Sequence, residues 1–180
     1  MTGIHVAFLR GINVGGKNKL PMKDLVAMFV AAGCGDVEAY IQSGNVVFRA
    51  RPPVAAKVPA AIAGAILARS GYRIPVVMRT AGEVDDVANS NPFLATGQNP
   101  DTLHVAFLAD KPKAGGVLAL DARRSPPDEF VVRGREIFLR LPNGVARSKL
   151  TNAYFDSALG TTSTMRNWRT VLKLRELSAR

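Results

Sequence analysis

Short apolar runs alternate along the chain with stretches of helical spacing, and their order decides the fold class. Ile4 to Leu9 (IHVAFL) is apolar and stops at Arg10-Gly11, which predicts a buried strand. A Gly-rich segment follows, and Pro21 stands where helices begin. Met22, Leu25, Val26, Met28 and Phe29 then recur at helical spacing up to Gly33. Val37 to Ile41 and Asn45 to Arg49 read as strands around Gln42-Ser43-Gly44, an antiparallel hairpin. The Ala-rich run Val54 to Ser70 predicts one helix stopped by Gly71. Arg73 to Arg79 (RIPVVMR) predicts a strand, and Pro75 places it at a sheet edge. The order is β-α-β-β-α-β, that of a ferredoxin-like sheet.

Residues 81–101 predict a short helix and then a connector (NSNPFLATGQNPD), which separates a first half, 1–92, from a second half, 100–180. HVAFL at 5–9 recurs unchanged at 104–108, and Gly15-Gly16 has a counterpart in Gly115-Gly116. A short helix is expected over Gly115 to Asp121. Glu129 to Val132 and Glu136 to Leu141 form a hairpin turning at Arg133-Gly134-Arg135, and Leu150 to Leu159 is helical. No fourth strand is evident. Thr161 to Thr164 offer hydroxyl caps, and Met165, Trp168, Val171 and Leu172 run at helical spacing. The expected architecture is α+β: two ferredoxin-like halves related by internal duplication, packed closely, the second trading its last strand for an extra C-terminal helix.

Composition narrows the partners rather than the fold. Of 180 residues 24 are Lys or Arg and 14 Asp or Glu, a net charge of +10, which favours anionic partners. Ten basic residues against three acidic lie from Arg133 onward. The lone Cys34 excludes an internal disulfide and a Cys-based zinc site, and reads as a small apolar residue near a helix end. No charged-then-apolar leader opens the chain and no apolar run reaches membrane-spanning length, so a cytoplasmic protein off the membrane is expected. His5 and His104 hold matching positions, but no acidic or Cys partners are spaced to complete a metal site.

Candidate chemistry concentrates in Gly11-Ile12-Asn13-Val14-Gly15-Gly16-Lys17-Asn18. The segment fits the phosphate-cradling pattern G-x-x-x-x-G-K up to its last position, where Asn18 replaces the Ser or Thr that holds magnesium. Two hairpins also argue against the parallel sheet such a loop requires. A looser anion site remains, built from backbone N–H groups at Gly15 and Gly16 with Arg10, Lys17 and Lys19. The alternative is a solvated loop whose glycines only turn the chain. An RNA-recognition surface with Phe8 and Phe48 as stacking rings competes with plain core packing. Tyr154 and Trp168, flanked by Arg147, Lys149, Arg166 and Arg169, are open to both the stacking and the core reading.

The strings AFLRGINVGGKNKLPM (7–22), YIQSGNVVF (40–48), LPNGVARSKLTNAYFD (141–156) and TMRNWRTVLKL (164–174) together resemble the bacterial domain-of-unknown-function family DUF1697. The resemblance implies an α+β fold with two ferredoxin-like halves and brings no reaction, substrate or cofactor. Its motif residues here include Gly44 and Asn143 beside most of the polar positions already named. The candidate anion site is therefore Arg10, Asn13, Gly15, Gly16, Lys17, Asn18, Lys19, Gln42, Ser43, Asn45, Lys149, Arg166, Asn167 and Trp168, without metal or cofactor. Its expected partner is a phosphate-bearing small molecule or a nucleic acid, and the oligomeric state is left open. Two alternatives stand beside binding. One is a small metal-independent enzyme stabilising its substrate with Lys17, Lys149 and Arg166. The other is a structural or protein-interaction module whose polar motifs tie the halves together.

Overall fold

A computed structural model of the chain describes residues 1–179. Eight strands and seven α-helices follow in the order β1 (Gly3–Leu9), α1 (Met22–Ala31), β2 (Gly35–Tyr40), β3 (Asn45–Ala50), α2 (Pro52–Ala55), α3 (Val58–Ser70), β4 (Val76–Thr80), α4 (Ala81–Asn89), β5 (Leu103–Leu108), α5 (Ala114–Leu118), β6 (Glu129–Arg133), β7 (Glu136–Arg140), α6 (Asn152–Leu159), β8 (Ser163–Asn167) and α7 (Trp168–Ser178). The chain forms two compact units, one of Met1–Asp85 with the chain from Leu174 onward, the other of Asp86–Lys173.

In the first unit the strands lie in the order β2-β3-β1-β4 and every pairing is antiparallel. Alternation along β1 sends Ala7 and Leu9 to one face, where Val46, Phe48, Leu25, Phe29, Ile62 and Ile66 complete the core against α1 and α3. Pro21 pre-sets the backbone ahead of α1 with φ −60°, and Gly71 ends α3 with φ 72°. The single helix expected over 54–70 is two, because Pro59 cannot donate into a continuing helix and the chain turns through Ala56-Lys57. Pro75 precedes β4, which is an edge strand as expected.

The second unit has the order β6-β7-β5-β8, again antiparallel throughout. Here the expected loss of the fourth strand is corrected: Ser163–Asn167 pairs with β5 from Leu108 to His104. The C-terminal helix follows that strand instead of replacing it, and α4 follows β4 in the same way in the first unit. Val6 stands opposite Val47 and Arg79, and Val105 stands opposite Phe138 and Arg166. The bonds that close the strand ends also correspond. Leu9 N–H donates to Gly44 O at 2.8 Å as Leu108 N–H does to Arg135 O at 2.8 Å. Arg10 N–H donates to Pro75 O as Ala109 N–H does to Thr162 O. The two HVAFL strings thus occupy the same place in their sheets. The glycine pairs do not: Gly15 and Gly16 turn a loop with φ 57° and 75°, while Gly115 and Gly116 lie within α5.

His5 stacks on the Phe48 ring with centroids 5.5 Å apart, and a His104 ring nitrogen lies 3.3 Å from Thr102 O. Burial lowers the pKa of both below the ordinary 6.5. Well above pH 6.5 both rings are neutral folded or unfolded. As pH falls below 6.5 the unfolded chain takes up the protons first, so stability is lost in that window. Melting temperature is expected to fall from pH 7.5 to pH 5, and less steeply in His104→Gln. An unchanged slope in that variant would remove His104 as a source of the loss.

Candidate functional site

Twelve residues, 10–21, join β1 to α1, against the five residues 109–113 that join β5 to α5. The longer loop is closed by asparagines. Asn13 Nδ2 donates to Leu20 O and to Gln42 O, both at 2.9 Å, and Asn13 Oδ1 accepts from Leu20 N–H at 2.8 Å. Asn18 Nδ2 donates to Gly11 O at 2.8 Å, and Asn13 N–H to Asn18 O at 3.1 Å. Both asparagines have positive φ, 53° and 49°, a region Asn tolerates better than most residues. Inside this frame Val14 bridges Lys17 around the Gly15-Gly16 turn. Lys17 and Lys19 are exposed and make no ion pair with any described residue. The N–H groups of Gly15 and Gly16 have no hydrogen-bond partner among the described residues, and open space surrounds both.

The turn between β2 and β3 lies against this loop through the Asn13–Gln42 bond. Asn45 is fully buried and its amide donates to Tyr40 O at 3.2 Å and Ser43 Oγ at 3.0 Å, so it holds the turn. Gly44 has φ 80°, and a Cβ there would stand 2.8 Å from both Leu9 Cβ and Ile12 Cδ1. Arg10, Asn13, Gly15, Gly16, Lys17, Asn18, Lys19, Gln42, Ser43 and Asn45 are thus brought together at one end of the strands of the first sheet. A cavity of about 510 Å³ opens at the opposite end of the strands, against Thr2, Gly33, Asp36, Arg49 and Val54, and includes none of them.

Lys149, Arg166, Asn167 and Trp168 lie in the second unit. Lys149 is exposed, with its backbone N–H bonded to Ser125 Oγ and its carbonyl accepting from Arg124 Nε. Asn167 Oδ1 accepts from Thr170 N–H at 2.8 Å and caps α7. Thr80 and Glu83 cap α4 reciprocally at the matching position of the first unit. Arg166 is 8% exposed, donates to Thr164 Oγ1 and Met165 O, and has its pKa lowered by burial to about 10. Its register counterpart Arg79 is 1% exposed and donates to Met78 O. Trp168 is 2% exposed, which leaves no ring face for a base. Phe8 and Phe48 are fully buried, so the RNA-recognition surface is set aside. The phosphate-loop pattern goes with it, because both neighbours of β1 are antiparallel. No cluster of three or more potential metal ligands occurs among the described residues, and no helix there is long and apolar enough to cross a membrane.

The family described as Protein of unknown function (DUF1697) matches residues 2–138, from the start of β1 into β7. This chain belongs to the DUF1697 family. A solved structure similar to it is that of the conserved bacterial protein SP0830 from Streptococcus pneumoniae. The two align with a TM-score of 0.73 over 99% of each chain at 20% identity, a likeness of fold alone. No curated protein matches the sequence. Within this DUF1697 chain the motif residues divide by burial. Asn45, Arg166 and Trp168 are absorbed by packing, and Asn13, Asn18 and Asn167 by bonds that shape loops and caps. Arg10, Gly15, Gly16, Lys17, Lys19, Gln42 and Lys149 keep accessible surface. Sequence reasoning missed Arg79, although Met-Arg recurs at 78–79 and 165–166. It also missed Ile41, placed at a strand end but found in a left-handed conformation, φ 50°.

Proposed function

We propose that this chain is a cytoplasmic binding module for a phosphate-bearing ligand, a nucleotide or nucleic acid, with its site on the loop of residues 10–19 beside Gln42. One observation carries the reading. The loop satisfies its own frame through Asn13 and Asn18, yet leaves two adjacent glycine N–H groups and two lysines without protein partners. Adjacent N–H groups beside ammonium groups suit the oxygens of a phosphate. The matched registers and closing bonds of the two sheets support ferredoxin-like halves that arose by duplication. Against that shared frame, the long loop is an addition to the first half only, which favours a role beyond folding.

Lys17→Ala is expected to weaken binding of pyrophosphate by about one to two powers of ten, the worth of a charge-assisted hydrogen bond. The exposed side chain contributes little to folding, so urea stability is expected to change by less than about 0.5 kcal/mol. Oligonucleotide affinity is expected to fall steeply between about 50 and 200 mM salt. The competing reading, a module whose polar motifs only tie the fold together, rests on the internal bonds of Asn13, Asn45 and Asn167. It moves to the front if Lys17→Ala keeps its affinity and loses stability instead.

A further inference from the structure

Two exposed aliphatic side chains stand one residue to either side of the bond that joins the loop to the turn. Asn13 donates to Gln42 O at 2.9 Å. Val14 follows Asn13 and is 61% exposed; Ile41 precedes Gln42 and is 48% exposed. Ile41 is the less expected of the two. A β-branched residue at φ 50° is a backbone outlier, and here about half of the side chain stays exposed. Gly or Asn at that position would suit the backbone of the turn better than isoleucine does. Folding explains its neighbours: Gly44 is required by close approach and Asn45 by its bonds.

The surroundings say what such a pair would meet. The same end of the sheet presents the Lys17 and Lys19 side chains and the Gly15 and Gly16 N–H groups, all without protein partners. A partner that is apolar throughout would leave the cations unmatched, and a bare phosphate would leave the aliphatic pair bare. We propose that Val14 and Ile41 form an apolar seat for the flat ring of a phosphate ester whose phosphate is held by the Gly15-Gly16-Lys17 tip. The ligand class is thus a nucleotide, free or within a single strand, rather than inorganic phosphate. The inference rests on the phosphate-binding reading above and narrows it.

Binding of adenosine 5′-monophosphate, inorganic phosphate and a short oligothymidylate is measured by calorimetry on the full chain and on Ile41→Asn and Val14→Ser. The unaltered chain is expected to bind the mononucleotide at least tenfold more tightly than inorganic phosphate. Ile41→Asn is expected to lose about tenfold in mononucleotide affinity, to keep its phosphate affinity, and to melt about 2–4 °C higher as the backbone strain is relieved. Val14→Ser is expected to show the same selective loss without a rise in melting temperature. A strand source shows as tighter binding of the oligothymidylate with a steep salt dependence, a free nucleotide as equal or weaker binding of it. Equal affinity for mononucleotide and phosphate, or a loss of both in Ile41→Asn, overturns the apolar seat and leaves the anion site standing. Binding of none of the three probes overturns both.

Discussion

Replacing Gly44 by Ala is expected to lower folding stability by about 3 kcal/mol, a fall of about 9 °C in melting temperature for a chain of this size. Two effects add. At φ 80° a side chain costs about 1 kcal/mol relative to glycine. The new methyl would also stand 2.8 Å from Leu9 Cβ and Ile12 Cδ1, and both residues are fully buried. Neither can yield without moving the core, so an overpacking cost of about 1–3 kcal/mol follows. Gly15→Ala isolates the first effect, since φ there is 57° but open space surrounds the site. It is expected to cost about 1 kcal/mol. Equal losses in the two variants, measured by urea unfolding, would mean that the close approach at Gly44 is relieved by shifts in the sheet. Because Gly44 O also accepts from Leu9 N–H, the same substitution is expected to disturb the turn that carries Ile41 and Gln42.

The strands whose side chains are apolar were readable from the sequence, and the one whose side chains are polar was not. β1, β3, β5 and β7 carry Val, Phe, Ile and Leu, and periodicity finds them. β8 reads STMRN, with Met165 its only apolar side chain, yet Ser163, Thr164 and Arg166 are buried. Burial is affordable there because the polar groups find partners: Ser163 Oγ donates to Asp156 Oδ1 at 2.7 Å, and Arg166 to Thr164 Oγ1. Such satisfaction is a property of the folded arrangement and leaves no hydrophobic pattern. The Gly pairs show the reverse error. Identical residues at similar spacing suggested a repeat, while one pair turns a loop and the other lets α5 approach Ala158 O, 3.1 Å from a Cβ built on Gly116. In the candidate site, the residue types pointed to the loop of residues 10–19. The division of labour did not follow from them, because asparagines that close a loop and asparagines that would bind a ligand look alike until their bonds are known.

Arg166 shows how far that division reaches. Its guanidinium is buried and desolvation pushes its pKa down to about 10, so the proton it carries at neutral pH is held at a cost to stability. That deficit is fully present at pH 7 and shrinks as pH rises through about 10, where the folded state releases the proton before the unfolded chain does. Packing and hydrogen bonds, those to Thr164 Oγ1 and Met165 O among them, offset that cost. Arg166→Met keeps most of the stem and removes the buried charge. It gives up the bonds to Thr164 Oγ1 and Met165 O among others, each worth about 1 kcal/mol, and is expected within about 2 kcal/mol of the parent. Arg166→Ala empties the stem's volume as well, and is expected to be about 3 kcal/mol less stable than Arg166→Met. The same ordering is expected at Arg79, its register counterpart. Urea melts of the four variants check it. If Met and Ala fall equally far at either position, the fold needs the charge itself. If Arg166→Met keeps its stability but loses anion affinity while Arg79→Met loses neither, Arg166 returns to the candidate site.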